Sequence, residues 1–184
     1  MTKDHSTEFF PECATLPDWM KSSFSDKTTR IIGGQVAPSP IPWQAHLYVD
    51  NISRCAAVII DEETVLTAAL AIMENPKSTP PVLFDKASLK IEVGVVSQGD
   101  TTGQTRGISE IIIHPCARRN KEKLLRLIKV KKVEVDLAIL KLDSPLVFDD
   151  KVKPICLPDV SFEPGTVKGV VSGWGMTIGG TLFL

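Results

Sequence analysis

The chain has 184 residues, 43% of them hydrophobic and 23% charged, with a formal net charge of −1. This is ordinary globular composition, long enough for one generous domain or for a complete small domain with part of another. No apolar run approaches the ~20 residues of a membrane span, and the near-neutral balance gives no pull toward nucleic acid or anionic lipid. The expectation is therefore no membrane and no nucleic-acid partner.

Residues Met1 to Thr29 mix Pro11 and Pro17 with scattered Ser, Thr and Asp, and Phe9, Phe10, Trp19 and Phe24 follow no period. The stretch reads as a loosely ordered leader. It lacks the apolar core of a signal peptide. Arg30-Ile31-Ile32-Gly33-Gly34 comes next, then Pro42-Trp43-Gln44. From there the pattern is one of strands. Apolar, β-branched runs lie at His46–Val49, Ala56–Ile60, Val65–Ala69, Leu89–Val96, Ile108–Ile113 and Val133–Leu142, separated by Gly, Pro, Asp and Asn clusters. Six such runs in about a hundred residues predict an all-β fold, an antiparallel barrel or sandwich.

Within this region Asn51-Ile52-Ser53 is an N-glycosylation sequon. Cys55 to Ala71, CAAVIIDEETVLTAALA, is an apolar run, an acidic turn (Asp61, Glu62, Glu63) and a second apolar run. Residues 118–132 break the strand pattern. Arg118, Arg119, Lys121, Lys123, Arg126, Lys129, Lys131 and Lys132 stand there against Glu122 alone, a local charge of +7. Leu124, Leu127 and Ile128 fall at helical spacing, so a short amphipathic helix fits. The run reads either as a polyanion-binding surface or as a solvated insertion. Beyond it stand Asp136-Leu137-Ala138-Ile139-Leu140-Lys141-Leu142, Lys153-Pro154-Ile155-Cys156-Leu157-Pro158 and Val170-Val171-Ser172-Gly173-Trp174-Gly175.

These landmarks resemble, in order, those of the trypsin-like (chymotrypsin-fold) serine endopeptidases. Arg30-Ile31-Ile32-Gly33-Gly34 is similar to that family's activation site, and Val65 to Ala71 resembles its V-L-T-A-A-H-C. Asp136 to Leu142 resembles D-I-A-L-L-K-L, 153–158 the linker between two barrels, and 170–175 the V-S-G-W-G that opens the second. The resemblance implies a chymotrypsin-like antiparallel β-barrel fold. It implies a leader over 1–30, an essentially complete first barrel over 31–150, a linker over 151–166, and over 167–184 the first strand of a second barrel only begun. The tail is expected to pack loosely, with Val170, Val171 and Trp174 exposed. It also implies activation by cleavage between Arg30 and Ile31, the freed ammonium helping to shape an oxyanion hole.

The family's reaction needs a Ser nucleophile, a His general base and an Asp that orients the His. Asp136 is the one triad member that the resemblance places here. Leu70 stands where the His belongs, Ala71 stands where a Cys belongs, and no G-D-S-G-G occurs. Asp136 then reads as a strand-end aspartate satisfied by backbone N–H groups. His5, His46 and His114 each read as surface or packing residues.

Four cysteines, Cys13, Cys55, Cys116 and Cys156, allow three full pairings. No CxxC is present, so a metal site has little support and no cofactor is expected. The resemblance implies a Cys13–Cys156 disulfide that would tie the leader to the linker. Cys55 would have lost its partner at Ala71, and a Cys55–Cys116 pairing stays open. The resulting expectation is an extracellular trypsin-like homologue, truncated and catalytically incompetent, acting on or with proteins of a protease cascade. The alternatives are a non-catalytic binding module, cofactor or decoy, and an incomplete model of an active protease.

Overall fold

A computed structural model describes residues 13, 17–23, 36–76, 78, 81–97, 99–115, 117, 135–158, 161, 169–176 and 182–183. Among them are ten strands: β1 (Gln44–Val49), β2 (Ile52–Asp61), β3 (Thr64–Thr67), β4 (Met73–Asn75), β5 (Val82–Leu83), β6 (Leu89–Val93), β7 (Gln104–Ile113), β8 (Ala138–Leu142), β9 (Gly175–Met176) and β10 (Leu182–Phe183). Six of them close into an antiparallel barrel in the order β1-β2-β3-β8-β7-β6, the all-β chymotrypsin-like architecture. The six apolar runs each supply one barrel strand.

Period-two alternation sorts the side chains. In β6, Leu89, Ile91 and Val93 are buried while Lys90 and Glu92 are half-buried; in β8, Ala138, Leu140 and Leu142 point in. These join Leu47, Ile59 and Val65 in one core. Strand β1 departs from the rule, because all six of its residues are buried. Ala45, Leu47 and Val49 belong to the barrel core. Gln44, His46 and Tyr48 are on the opposite face, so something must cover that side as well.

Strands β2 and β7 each begin four residues before their apolar runs. The β1–β2 connection is a two-residue turn, Asp50-Asn51, with φ of 49° and 63° at its two residues. Asp and Asn tolerate this left-handed conformation better than most residues, and it matches the twist of a tight hairpin. Pairing therefore resumes at once with Val49 opposite Ile52. Strand β7 begins at Gln104, and Gly103 before it has no room for a side chain: a Cβ would lie 2.5 Å from the Val93 carbonyl oxygen. At the other end, β8 starts only at Ala138, later than the run from Val133 suggested.

After the barrel the chain is tied by backbone hydrogen bonds to Pro42, just before β1, and to Ile59 in β2. The Lys153 N–H donates to the Pro42 carbonyl and the Ile155 N–H to the Ile59 carbonyl, each at 2.9 Å. This brings Cys156 to Cys13, with which it forms a disulfide at a Cα–Cα distance of 5.1 Å. One segment of the stretch read as a loosely ordered leader is helical. Residues Asp18–Ser23 form a short helix, α1, in which Met20 is 1% exposed. The Trp19 indole N–H donates to Ser39 Oγ at 3.1 Å.

The tail also corrects its expectation. Val170 and Val171 are exposed, but Trp174 is half-buried against the barrel. Beyond it β9 and β10 pair with each other, Met176 opposite Leu182, where a single unpaired strand was expected.

The disulfide spans 143 positions of sequence. Closing a loop of that size in the unfolded chain stabilises the fold by about 4–5 kcal/mol on the chain-entropy account. Replacing Cys13 with Ser is expected to lower stability toward that amount, read as a fall in the urea midpoint. An unchanged midpoint contradicts the bond's contribution.

Candidate functional site

Residue 70 and residue 136 are brought together by strand pairing. Strand β3 pairs with β8, with Thr67 opposite Ala138. The chain leaves β3, and Ala69–Ile72 turn through a 3₁₀ helix in which Ala69, Ala71 and Ile72 are buried. Leu70 is the outward position of this turn, 52% exposed. Asp136 stands two residues before β8, on the same rim. Its Oδ1 accepts the Leu70 backbone N–H at 2.8 Å across 66 residues of sequence.

The surroundings hold this arrangement from both sides. The Thr67 hydroxyl donates to the Ala56 carbonyl at 2.9 Å. Arg54 Nε donates to the Ala71 carbonyl at 3.2 Å, and its guanidinium lies 5.3 Å from the Phe84 ring centre. The Leu137 carbonyl accepts the His114 N–H at 3.0 Å, fixing the entry to β8. Asp136 is exposed, and Leu137 beside it is 43% exposed. The rim thus presents a solvated carboxylate between two alkyl side chains. It has an acceptor already engaged by a backbone donor, and no side-chain base at position 70.

The histidines lie elsewhere. His5 is outside the described residues. His114 is exposed at the end of β7. His46 is 1% exposed, on the outer face of β1. Its Nε2 is 2.7 Å from Ser53 Oγ, and its ring stacks on Trp174 at 4.3 Å with planes 6° apart. The Tyr48 ring tilts against it at 4.3 Å. Two further bonds dock the tail there. The Ser172 hydroxyl donates to Gln44 Oε1 at 2.8 Å, and the Trp174 indole N–H donates to the Val96 carbonyl at 3.0 Å. This is what covers the second face of β1.

That cluster escaped sequence reasoning. The alternation in β1 could have placed Gln44, His46 and Tyr48 on one face, but nothing local names Trp174 as their cover.

Arg30, Ile31, Cys116 and the eight basic positions between 118 and 132 lie outside the described residues. Cys55 is a half-buried free thiol, and Ala71 is buried. Asn51 is exposed at the tip of the β1–β2 turn. Among the described residues no group of His, Cys, Asp and Glu is arranged to hold a metal ion, and no helix is long and apolar enough to cross a membrane.

Comparison with known proteins gives a consistent answer. The Trypsin family model matches residues 31–182. Coagulation factor IX of Cavia porcellus is 30% identical over 159 residues, covering 82% of this chain and 48% of the relative. Haptoglobin of Canis lupus familiaris is 29% identical over 169 residues, covering 91% of this chain and 44% of the relative. The chain therefore spans less than half the length of these curated relatives.

Burial lowers the His46 pKa from 6.5 to about 4, because the charged form loses its water. The charged groups on the facing strand are Glu92, opposite His46 in β6 and hydrogen-bonded to the Tyr48 hydroxyl, and Lys90 over the Tyr48 ring. A depressed folded-state pKa makes the unfolded chain the better proton acceptor. Stability from His46 is thus present above pH 6.5 and is lost as pH falls toward 4. Replacing His46 with Gln is expected to flatten urea stability across that window relative to the parent. Parallel profiles for the two proteins would show that His46 is not the group being titrated.

Proposed function

This chain belongs to the trypsin family, and from that premise we propose that it is a proteolytically inert serine endopeptidase homologue that acts by binding. The observation that carries the reading is the 2.8 Å bond from the Leu70 N–H to Asp136 Oδ1. It sets residue 70 beside the aspartate that, in the family's reaction, orients the general base. The side chain there is an alkyl group with no lone pair. A hydroxyl nucleophile needs an adjacent acceptor for its proton, and without one it attacks a peptide carbonyl poorly.

In serine proteases, loss of the histidine alone costs on the order of 10⁶ in kcat. That deficit arises inside the first barrel and does not depend on what lies beyond Leu184. The family aspartate is then reduced to a structural acceptor that holds the 3₁₀ turn against β8.

The setting in this reading is extracellular, which the Cys13–Cys156 disulfide supports. The partner class is protein, within a protease cascade. Cleavage between Arg30 and Ile31 would leave the leader attached through the same bond. Incubation of the folded chain with a fluorophosphonate probe tests the reading. No covalent labelling is expected, and labelling that competes with a peptide substrate would overturn it.

A second reading rests on a separate observation, the +7 charge between positions 118 and 132. Eight cations in fifteen residues favour an extended polyanion, and exposed charge pairing of this kind weakens steeply with salt. The chain is expected to be retained on immobilised heparin and to elute as salt rises. Replacing Lys129, Lys131 and Lys132 with Ala should move elution to lower salt. Passage without retention would remove this reading and leave the first untouched.

A further inference from the structure

We infer that Asn51 is an N-glycosylation acceptor and that the glycan is attached before the β1–β2 hairpin closes. The inference concerns a different site from the Leu70–Asp136 rim and holds whether or not the chain is catalytic. Asn51-Ile52-Ser53 is the only Asn-x-Ser/Thr triplet in the 184 residues. Such a triplet alone is weak, and three structural observations strengthen it.

The first is position. Asn51 is the second residue of a two-residue turn, in left-handed backbone geometry at φ 63°, and it is exposed. A bulky substituent on its side chain extends from the tip of a hairpin and displaces nothing. The second is an uncovered neighbour. Ile52 is 71% exposed, the apolar residue that opens β2. A saccharide on the adjoining residue would shield it. The third is compartment. The Cys13–Cys156 disulfide places the chain where thiols are oxidised, the route along which N-glycans are attached.

The order of events follows from Ser53. Its hydroxyl is the group that makes the triplet an acceptor, and in the folded chain it is half-buried, 2.7 Å from His46 Nε2. Tyr48 pairs opposite it across the hairpin. The folded hairpin therefore holds the hydroxyl in another bond and locks the Asn51 backbone in a tight turn. An enzyme that must grip an extended triplet finds it only in the unfolded chain.

In the transfer, Asn51 Nδ2 forms a bond to the anomeric carbon of an oligosaccharide carried on a polyprenyl diphosphate. The bond from that carbon to the diphosphate oxygen breaks. The polyprenyl diphosphate departs with the electron pair, and the Nδ2 proton passes to a base on the transferase. No oxidant or reductant is required.

The test expresses the full chain behind a cleavable secretion signal in cultured animal cells. The secreted protein should migrate as one species larger by a single N-glycan. Peptide N-glycosidase should collapse it and leave Asp at position 51, identified by peptide mass. Asn51→Asp, which keeps a residue tolerant of left-handed backbone geometry, should be secreted without the glycan. Ser53→Thr should retain it.

For the order of events, unglycosylated chain made in bacteria is given to microsomal transferase with its lipid-linked donor. The folded, oxidised form should stay unmodified, and the reduced, unfolded form should be modified. A secreted parent insensitive to the glycosidase overturns the site. Equal modification of the folded and unfolded forms overturns the order.

Discussion

Closure of the barrel by the pairing of β3 with β8 is the constraint from which the other features follow. Those strands lie more than sixty residues apart, and Thr64 to Thr67 must find Lys141 back to Ala138 in one register. A slip of one residue would turn Leu140 and Val65 out of the core and expose their whole apolar faces. The register therefore comes from burial. Once it is set, the residue three beyond Thr67 and the residue two before Ala138 must meet at the rim. The Leu70–Asp136 contact is a product of packing and does not depend on any chemistry at that spot.

This separation of scaffold from chemistry explains how an alkyl side chain can occupy such a place without disturbing the fold. Leu70 faces water on a turn whose other three residues are buried. Asp136 bonds to a backbone N–H that every residue except proline supplies. The core of the barrel does not register the identity of the side chain at position 70, so a leucine there costs no packing.

Much of the fold was legible because barrel strands with one solvated face write their burial into alternating sequence. Leu89, Ile91 and Val93, or Ala138, Leu140 and Leu142, announce themselves in this way. The parts that were missed are those where a strand has no apolar side chain to show. Ser53 in β2 pairs with Tyr48, Arg54 falls at the register shift between Leu47 and Tyr48, and their side chains remain partly or largely exposed. At the rim, motif order in the sequence pointed to Leu70 and Asp136, and the strand register makes them neighbours. The docking of Trp174 on His46 had no local signature. It joins segments 128 positions apart, and each of its members has an ordinary alternative role. The leader was read as irregular because one short helix anchored by Met20 leaves too few turns to create a period.

The bond between Cys13 and Cys156 has a topological meaning beyond its energy. The whole barrel lies on the arc between the two sulfurs, so backbone and bridge together make a covalent ring. Opening a ring once leaves a single molecule. A nick at any loop on that arc would go unseen by size under oxidising conditions and would part the pieces only after reduction. Such a chain can be trimmed at its surface and still hold together as one particle.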